Sequence, residues 1–366
     1  MFTVKSNMKI CYTRFTLLIH TRNRPEFLLR LLDFHEKNNH LFGTKIIIAD
    51  ASEPEIYLTI KEGIAQRKYS LNIELLHHSP LVSFTQRLID AKNMISTPYV
   101  LLAADDDLYL FVEWLEPAVS LLDNDSQFGA VYGQTIRFKL DSYKPYGKLV
   151  GFGLSKRIPP ERWLEGDSAI GRLKELGKSD WATVGWYALQ RVETLNSILV
   201  KAEKYKLEGY YLEKFLVICQ TILVKTRMLD NVFLARQDED YIREPYSYNS
   251  LNTSLQDFKT ASSEVLAMHD NIELSEAHEI IDDVFQCELE ELKIADSRRL
   301  ARKLIRRFQI VDTIRNILKK ISGKDNKNVY LSLRDRRLPV EAELSNEHSF
   351  VVSIRNLVES VHIKQK

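Results

Sequence analysis

The feature that most constrains the fold of this chain is a regular alternation of short apolar runs with amphipathic stretches over residues 15–138. Apolar runs bounded by polar residues are typical of buried strands, and here they occupy residues 15–20, 45–49, 72–76, 99–104 and 129–138. Helical spacing of apolar side chains predicts helices between them, from Pro25 onward and over residues 56–68, 84–95 and 111–123. Strands that alternate with helices predict an α/β protein with a parallel, doubly wound sheet.

The amino-acid composition is that of an ordinary soluble protein with a large core. Its 366 residues are 45% hydrophobic and 28% charged, and at about 150 residues per domain they allow two or three domains. The three cysteines are far apart and form no CxxC pair, which argues against a disulfide framework or a zinc cluster. No run approaches the roughly 18 apolar residues of a membrane span, and the first residues lack the apolar core of a signal peptide. We therefore expect a cytoplasmic protein.

The near-neutral total charge conceals one strongly basic segment, residues 296–324. This segment holds ten Lys or Arg and two Asp, a local +8, which leaves −7 for the rest of a chain of net charge +1. Apolar side chains from Leu300 to Ile321 recur on one helical face. A basic amphipathic helix is typical of binding to an anionic membrane surface, and we expect that partner rather than nucleic acid. The alternatives are a helix packed on its own domain with a solvated basic face, or one that binds RNA or another protein.

Acidic residues follow two of the predicted strands. Asp50 ends the second strand, and the fourth, YVLLAA, runs directly into Asp105, Asp106 and Asp107. On extended backbone Asp105 and Asp107 point to the same side, a spacing that suits a divalent cation bound by one or two carboxylates, phosphate oxygens and water. Such a cation neutralises a departing nucleoside diphosphate. The alternative is a surface turn, in which Asp is also favoured.

Several common nucleotide and hydrolase motifs are missing from the sequence. It contains neither the GxGxxG fingerprint nor the GxxxxGK[ST] phosphate loop, which argues against a nicotinamide-dependent Rossmann enzyme and a P-loop ATPase. It also contains no GxSxG elbow and no HExxH pair. We interpret the adjacent His77 and His78 as a strand end rather than a metal pair, because neighbouring side chains diverge.

Three blocks of the sequence resemble a known family. The segments TLLIHTRNRPEFLLRLL (Thr16–Leu32), IIIADAS (Ile46–Ser52) and TPYVLLAADDDL (Thr97–Leu108) resemble, in order and spacing, those of family-2-like inverting glycosyltransferases, closest to the bacterial surface-polysaccharide branch. The resemblance covers about residues 14–138 well and 180–237 loosely. It implies the GT-A fold, a Rossmann-like, mostly parallel sheet flanked by helices, here with a C-terminal helical extension.

We predict four parts in the chain, and the last 120 residues lie outside the resemblance. A GT-A domain spans residues 1–245, with a nucleotide-sugar half over 14–140 and an acceptor half over 141–245. A helical extension (246–295), the basic amphipathic helix (296–324) and a C-terminal tail (325–366) follow. Within the acceptor half and extension we predict a loop over 141–170, helices over 186–206, 211–228 and 262–295, and irregular structure over 230–260.

The resemblance also implies a donor site at the strand ends. Thr21 would line the nucleotide pocket, and Arg22 stands where the family commonly has an aromatic residue that stacks on the base. Asp50 would accept a hydrogen bond from the base, and Arg87 would face the diphosphate or the sugar; a loop cap and a solvated helical arginine are the alternatives.

The three consecutive aspartates resemble the family's DXD metal site. Asp107 is predicted as a direct ligand of Mn²⁺ or Mg²⁺, with Asp105 as a second candidate ligand. Asp105 or Asp106 would contact the ribose or the sugar.

An inverting transfer also needs a general base for the acceptor hydroxyl. In the family this is an acidic residue near the start of a helix that precedes an apolar strand, and Glu213, ahead of NVFLARQ, fits that position. Glu208 and Asp180 are the rivals, and a purely electrostatic role near a helix start is the alternative for Glu213.

An aromatic segment resembles the acceptor side of the family. Trp181, Trp186 and Tyr187 would pack against an acceptor sugar, and packing in the core is the equal alternative.

These observations favour a metal-dependent enzyme that moves a sugar from a nucleoside-diphosphate sugar to a glycan or lipid-linked acceptor, in bacterial capsule or lipopolysaccharide synthesis. It would work in the cytoplasm, at the inner face of the plasma membrane. The alternatives are a sugar nucleotidyltransferase, which usually has a Gly-rich phosphate loop after its first strand, and a non-catalytic, membrane-attached polysaccharide-binding protein.

Overall fold

The computed structural model describes most of the chain up to residue 289 and one helix near its end. The described residues are 11–38, 43–141, 144–154, 163–177, 186–237, 248–286, 289 and 349–359. Trp181, Asp180 and the basic segment 296–324 lie outside them, so the predictions made for these residues stay predictions.

Nine strands of the described residues form one sheet. They are β1 (Phe15–Thr21), β2 (Lys45–Asp50), β3 (Asn72–His77), β4 (Tyr99–Ala104), β5 (Leu108–Tyr109), β6 (Phe128–Leu140), β7 (Leu149–Leu154), β8 (Leu189–Arg191) and β9 (Lys225–Gln237). Their order across the sheet is β3-β2-β1-β4-β8-β6-β9-β5, with β7 paired to β6.

Helices connect and flank these strands. They are α1 (Pro25–Asn38), α2 (Pro54–Arg67), α3 (Phe84–Lys92), α4 (Leu115–Asn124), α5 (Ala169–Gly177), α6 (Val192–Lys204), α7 (Gly209–Leu223), α8 (Tyr248–Asp270), α9 (residues 274–286) and α10 (Ser349–Val358). None of the helices in the described ranges is long and apolar enough to cross a membrane.

The first half has the architecture that the sequence predicts. Strands β1 to β4 pair in parallel in the order β3-β2-β1-β4, and every residue of β4 is buried, as expected for a central parallel strand covered on both faces. Beyond β4 the sheet is mixed, because β8 pairs antiparallel with both β4 and β6 while β9 runs parallel to β6. The predicted α/β class, with a largely parallel sheet flanked by helices, is therefore confirmed.

Local chemistry fixes several helix starts. Pro25 and Pro54 open α1 and α2, where their missing N–H groups leave no intrahelical bond unmade. Ser83 caps α3 by accepting a hydrogen bond from the Gln86 N–H at 3.1 Å. Gly209 opens α7 with a φ of 52°, a left-handed conformation that favours glycine.

The second half departs from the prediction in four places. The segment 186–206 begins with strand β8, the predicted helix 211–228 ends at Leu223, and the segment 230–260, predicted as irregular, holds the end of β9 and the start of helix α8. Strand β7 lies within the predicted loop 141–170. For β7, β8 and β9, pairing with β6 or β4 decides the conformation, and such pairing leaves only a weak local pattern.

The helical extension packs against the acceptor half. Rings of α7, α8 and α9 meet, with Tyr211 5.1 Å from Phe258 and Phe258 4.7 Å from Phe285 between centroids. Helix α10 returns to the sheet beside β7, where the Val358 carbonyl accepts the Gly147 N–H at 3.0 Å.

Candidate functional site

The candidate site lies at the carboxyl ends of the parallel strands, where ligands bind in open α/β sheets. β1 ends at Thr21, β2 ends at Asp50, and β4 runs into Asp105, Asp106 and Asp107, hereafter the acid triplet. The turns after β1 and β2 are tied together, because the Asn23 N–H donates to the Ser52 hydroxyl at 2.8 Å. The fold thus brings together the strand-end residues that the sequence singles out.

Both oxygens of Asp105 are held by protein groups. The Thr21 hydroxyl donates to Oδ2 at 2.7 Å, and a guanidinium nitrogen of Arg24 lies 2.9 Å from Oδ1. The same guanidinium reaches Asp106 Oδ2 at 2.9 Å. Arg24 therefore bridges two carboxylates that would otherwise repel each other in a buried position.

Asp107 is bonded through one oxygen and leaves the other without a hydrogen bond. Its side chain is 3% exposed, Oδ1 lies 3.6 Å from Nε of Arg236, and Tyr187 hydrogen-bonds to the carboxylate. Oδ2 is buried and has no hydrogen-bond partner among the described residues. Burial raises the pKa of Asp107 to about 6, against the opposing effect of the Arg236 charge. Burial by itself would lower the pKa of Arg236, yet the neighbouring Tyr187 and Asp107 raise it above its ordinary value.

A fully buried arginine holds the backbone of the acid triplet in place. Arg30 of α1 donates to the Asp106 carbonyl at 2.6 Å, to the Pro145 carbonyl at 2.8 Å, and to the side-chain oxygen of Gln237. Burial lowers its pKa to about 10, which leaves it charged at neutral pH. Arg30 thereby joins the turn after β4, the end of β9 and the loop before β7.

Asp50 is completely buried, and both of its oxygens have partners. Oδ1 accepts the Ser52 N–H at 3.2 Å as well as the Ser52 hydroxyl, and Oδ2 lies 2.8 Å from Nδ1 of His77. The His77 ring stacks on Tyr57, with centroids 3.9 Å apart and planes 17° apart. The predicted hydrogen bond from a nucleobase to Asp50 would have to compete with these contacts. It stays a prediction.

Arg87 and Arg22 bring positive charge to the same edge. Arg87 of α3 is 8% exposed, and its Nε is buried without a hydrogen-bond partner among the described residues. Burial lowers the pKa of Arg87, the exposed Arg22 lowers it further, and Glu208 and Asp50 act in the opposite direction. Two nearby guanidinium groups, one of them with an unused N–H, form a site suited to an anion.

The two described candidates for the general base occupy different environments. Glu208 accepts the backbone N–H groups of Phe84 and Thr85 at 2.8 and 3.1 Å, so it caps the start of α3. Glu213 is exposed near the start of α7, and its charge acts on Tyr187. Tyr187 in turn hydrogen-bonds to Asp107, so the link between Glu213 and the acid triplet is electrostatic.

The aromatic residues of the predicted acceptor side line the same region. Trp186 packs edge-on against His20 at 5.3 Å and lies 5.7 Å from the Phe84 ring. The Tyr187 ring lies 4.9 Å from the Arg236 guanidinium. Both side chains are more than nine-tenths buried, as in core packing, and Tyr187 also hydrogen-bonds to Asp107.

The donor set fits a divalent cation held mainly by substrate. The described residues contain no group of three or more His, Cys, Asp or Glu placed to chelate a metal. Oδ2 of Asp107 is one buried carboxylate oxygen without a partner, whereas Asp105 is fully engaged by Thr21 and Arg24. Mg²⁺ and similar ions are commonly held by one or two carboxylates together with phosphate oxygens and water. The residues therefore fit a cation at Asp107 once a diphosphate supplies further oxygens.

The sequence analysis does not identify four residues as part of the site. They are Arg24, Arg30, His77 and Arg236. Arg24 and Arg30 stand in the TRNRPEFLLR segment, where arginine close to a strand end is a usable signal. Arg236 and His77 become neighbours of the acid triplet and of Asp50 only through strand pairing, so no local pattern marks them.

No protein-family model matches the chain, and no curated protein sequence matches it either. Among solved structures, the chain is similar to S. aureus TarS 1-349 with a TM-score of 0.49 and 12% identity over 76% of this chain and 72% of that one. The TarS 1-349 complex with UDP-GlcNAc gives a TM-score of 0.49 and 11% identity over 76% and 73% of the two chains. Mannosyl-3-phosphoglycerate synthase from Rubrobacter xylanophilus gives 0.44 and 12% over 74% and 80%. Because these similarities are remote, function is inferred from the residues of the site.

Proposed function

We propose that the protein is a glycosyltransferase that moves a sugar from a nucleoside-diphosphate sugar to an acceptor hydroxyl. One observation carries the proposal: two buried polar atoms near the strand ends have no hydrogen-bond partner among the described residues. They are Oδ2 of Asp107, just beyond the end of β4, and Nε of Arg87, whose charge interacts with Asp50 at the end of β2. Unpaired buried polar groups are costly, and a bound diphosphate with its cation would satisfy both. The sequence resemblance supports the same reaction.

In this proposal the donor-side residues bind the leaving group. Arg22 and Arg87 hold the diphosphate oxygens by charge-assisted hydrogen bonds. Thr21 and Arg24 keep Asp105 in place, and Arg30 fixes the backbone after β4. A divalent cation at Asp107 would supply neutralisation of the negative charge that develops on the departing nucleoside diphosphate.

Glu213 is proposed as the general base. Glu213 is exposed, so an acceptor can reach it, and its charge acts on Tyr187, which hydrogen-bonds to Asp107. Removal of the acceptor proton by Glu213 makes the hydroxyl oxygen a better nucleophile. Direct attack on the anomeric carbon from the side opposite the leaving group inverts its configuration.

The acceptor and the cellular place follow from the resemblance and from the basic segment. We propose a glycan or lipid-linked acceptor in bacterial capsule or lipopolysaccharide synthesis, with residues 296–324 bound to the inner face of the plasma membrane. Vesicle sedimentation tests the membrane part. Wild type should sediment with phosphatidylglycerol vesicles and not with phosphatidylcholine vesicles, and replacement of Arg298, Arg302 and Arg306 by Gln should weaken binding. If that variant binds phosphatidylglycerol vesicles as well as wild type does, the membrane proposal is contradicted.

The experiment that tests the reaction is turnover of UDP-, GDP-, CDP- and ADP-sugars with Mn²⁺. We expect wild type to release the nucleotide from one of them, Asp107→Ala to lose this activity, and the exposed control Asp167→Ala to retain it. If wild type neither binds a nucleotide nor turns over any sugar nucleotide, the proposal fails.

A sugar nucleotidyltransferase is the alternative that the same experiment distinguishes. That enzyme would release pyrophosphate from a nucleoside triphosphate and a sugar 1-phosphate, whereas a glycosyltransferase releases the nucleotide from the sugar nucleotide. We expect no pyrophosphate release with UTP, GTP or CTP and a sugar 1-phosphate.

A further inference from the structure

The contacts of Asp50 raise the question of which residue recognises the nucleobase. The question rests on the proposed nucleotide-sugar function. Asp50 is fully buried, with one oxygen bonded twice by Ser52 and the other bonded by His77. A base could bond to Asp50 only by displacing one of these contacts, whereas His77 is 27% exposed at its side chain.

The sheet sets the distance between the acid triplet and His77. Strands β3, β2, β1 and β4 are neighbours in that order, and at about 4.8 Å per strand the ends of β3 and β4 are about 14 Å apart. This separation is comparable with the extended length of a nucleoside diphosphate. With the diphosphate near Asp107 and Arg87, the base reaches the ends of β2 and β3, where Asp50 and His77 are register partners.

The hydrogen bond to Asp50 also decides which ring nitrogen of a neutral His77 donates and which accepts. A carboxylate only accepts hydrogen bonds, so Nδ1 of His77 is the donor in their 2.8 Å contact. In the neutral ring Nε2 then carries a lone pair and accepts. Stacking on Tyr57 at 3.9 Å holds the plane of the ring, so the direction of that lone pair is fixed.

We propose that Nε2 of His77 accepts a hydrogen bond from an N–H of the nucleobase, and that Asp50 is a positioning residue that acts through His77. The four common bases carry their N–H groups at different points of their edges. A fixed acceptor at His77 therefore makes nucleotide affinity depend on the base.

The test is the affinity of the full chain for UDP, GDP, CDP and ADP with Mn²⁺, measured by calorimetry. His77→Asn keeps an N–H for Asp50 in place of Nδ1 and removes Nε2, and His77→Phe removes both nitrogens. The matched control is His269→Phe, because His269 forms a similar pair with Asp270 at 2.6 Å, is 32% exposed, and lies on α8.

We expect wild type to prefer one of the four diphosphates by about tenfold, the worth of a well-placed hydrogen bond. His77→Asn should bring the four affinities to within about threefold of one another, and His269→Phe should keep the wild-type preference. Melting temperatures establish that the variants fold; if His77→Phe does not, His77→Asn decides.

Two results would overturn the inference while leaving the proposed function standing. They are a wild type that binds all four diphosphates equally, and a base preference that survives in His77→Asn. If wild type binds none of the four, the proposed function fails together with the inference.

Discussion

Asp50 and Asp107 occupy equivalent places in the sheet and have opposite surroundings. Each stands at or just beyond the carboxyl end of a buried parallel strand, and each is almost completely buried. Asp50 has partners for both oxygens, whereas Oδ2 of Asp107 has no hydrogen-bond partner among the described residues. The difference separates a carboxylate that holds the protein together from one that is available to a ligand.

A buried polar atom without a hydrogen-bond partner costs about 1–3 kcal/mol of folding free energy. In the proposed function a ligand satisfies this atom at Asp107. Arg87 repeats the pattern with a buried N–H, and its neighbour Arg22 adds charge of the same sign. Sites where unpaired groups of both signs meet along one sheet edge are suited to a charged substrate and its counter-ion.

The largest expected effect is on turnover at Asp107. Asp107→Ala should lower sugar-nucleotide turnover by about 10²- to 10³-fold, the size of effect seen when one group that stabilises developing charge is removed. Steady-state kinetics with Mn²⁺ check this, with Asp167→Ala as the unaffected control. A loss of turnover below about threefold would contradict the assignment of Asp107 as the strand-end carboxylate that binds the cation.

The next effect is on the stability of the Asp50 turn. Asp50→Ala should lower the free energy of unfolding by about 2–3 kcal/mol, because Ser52 and His77 both lose a partner. Urea unfolding measures it. The matched variant Asp107→Asn should change stability by less than about 1 kcal/mol, because burial already disfavours the ionised carboxylate more than Arg236 favours it. Equal losses would contradict the comparison.

Arg87 should affect binding more than folding. Arg87→Gln should raise the Kd for a nucleoside diphosphate by about tenfold, because one charge-assisted hydrogen bond is lost. Arg14→Gln, at an exposed ion pair with Asp123, serves as the control. An unchanged Kd would show that the diphosphate lies elsewhere.

The raised pKa of Asp107 predicts how its contribution to stability depends on pH. A carboxyl that titrates at about 6 in the folded protein and near 3.8 when unfolded binds its proton more tightly when folded. Its contribution is therefore largest at low pH and is lost as the pH rises through 6. Between pH 7 and pH 5 it should amount to about 1 kcal/mol, measured as wild type minus Asp107→Asn in urea. A difference of the opposite sign would contradict it.

Glu264 should show the opposite and smaller dependence. The Tyr205 hydroxyl and the ammonium groups of Lys204 and Lys201 lower its pKa to about 2, so it stabilises the folded protein above its unfolded pKa. That contribution should decline as the pH falls from 7 to 4, by about 0.5 kcal/mol after allowance for solvent screening. Urea unfolding of wild type and Glu264→Gln at the two pH values measures it, and a difference that grows on acidification would contradict it.

The strand ends could be predicted from the sequence because the signal there is local. YVLLAA followed by three aspartates, and KIIIA followed by Asp50, combine a buried strand with charges that need partners. The α/β class follows from the same alternation, and the structure confirms it.

The partners of those carboxylates could not be predicted, because they arrive through long-range pairing. Arg236 lies on β9, and it comes close to Asp107 because β9 pairs with β5, the strand that follows Asp107. Tyr187 comes from a segment that the sequence assigns to a helix. His77 stands beside Asp50 because β2 and β3 are in register. That Oδ2 of Asp107 has no hydrogen-bond partner among the described residues is likewise a property of the folded chain.

The most direct test of the distinction between the two aspartates is Mn²⁺ affinity at saturating nucleoside diphosphate, measured by electron paramagnetic resonance of free Mn²⁺. Asp107→Asn should weaken Mn²⁺ binding by at least about tenfold, while Asp50→Asn should leave it within about twofold of wild type. Equal weakening by both variants, or weakening by Asp50→Asn alone, would contradict the assignment of Asp107 as the ligand and Asp50 as the structural carboxylate.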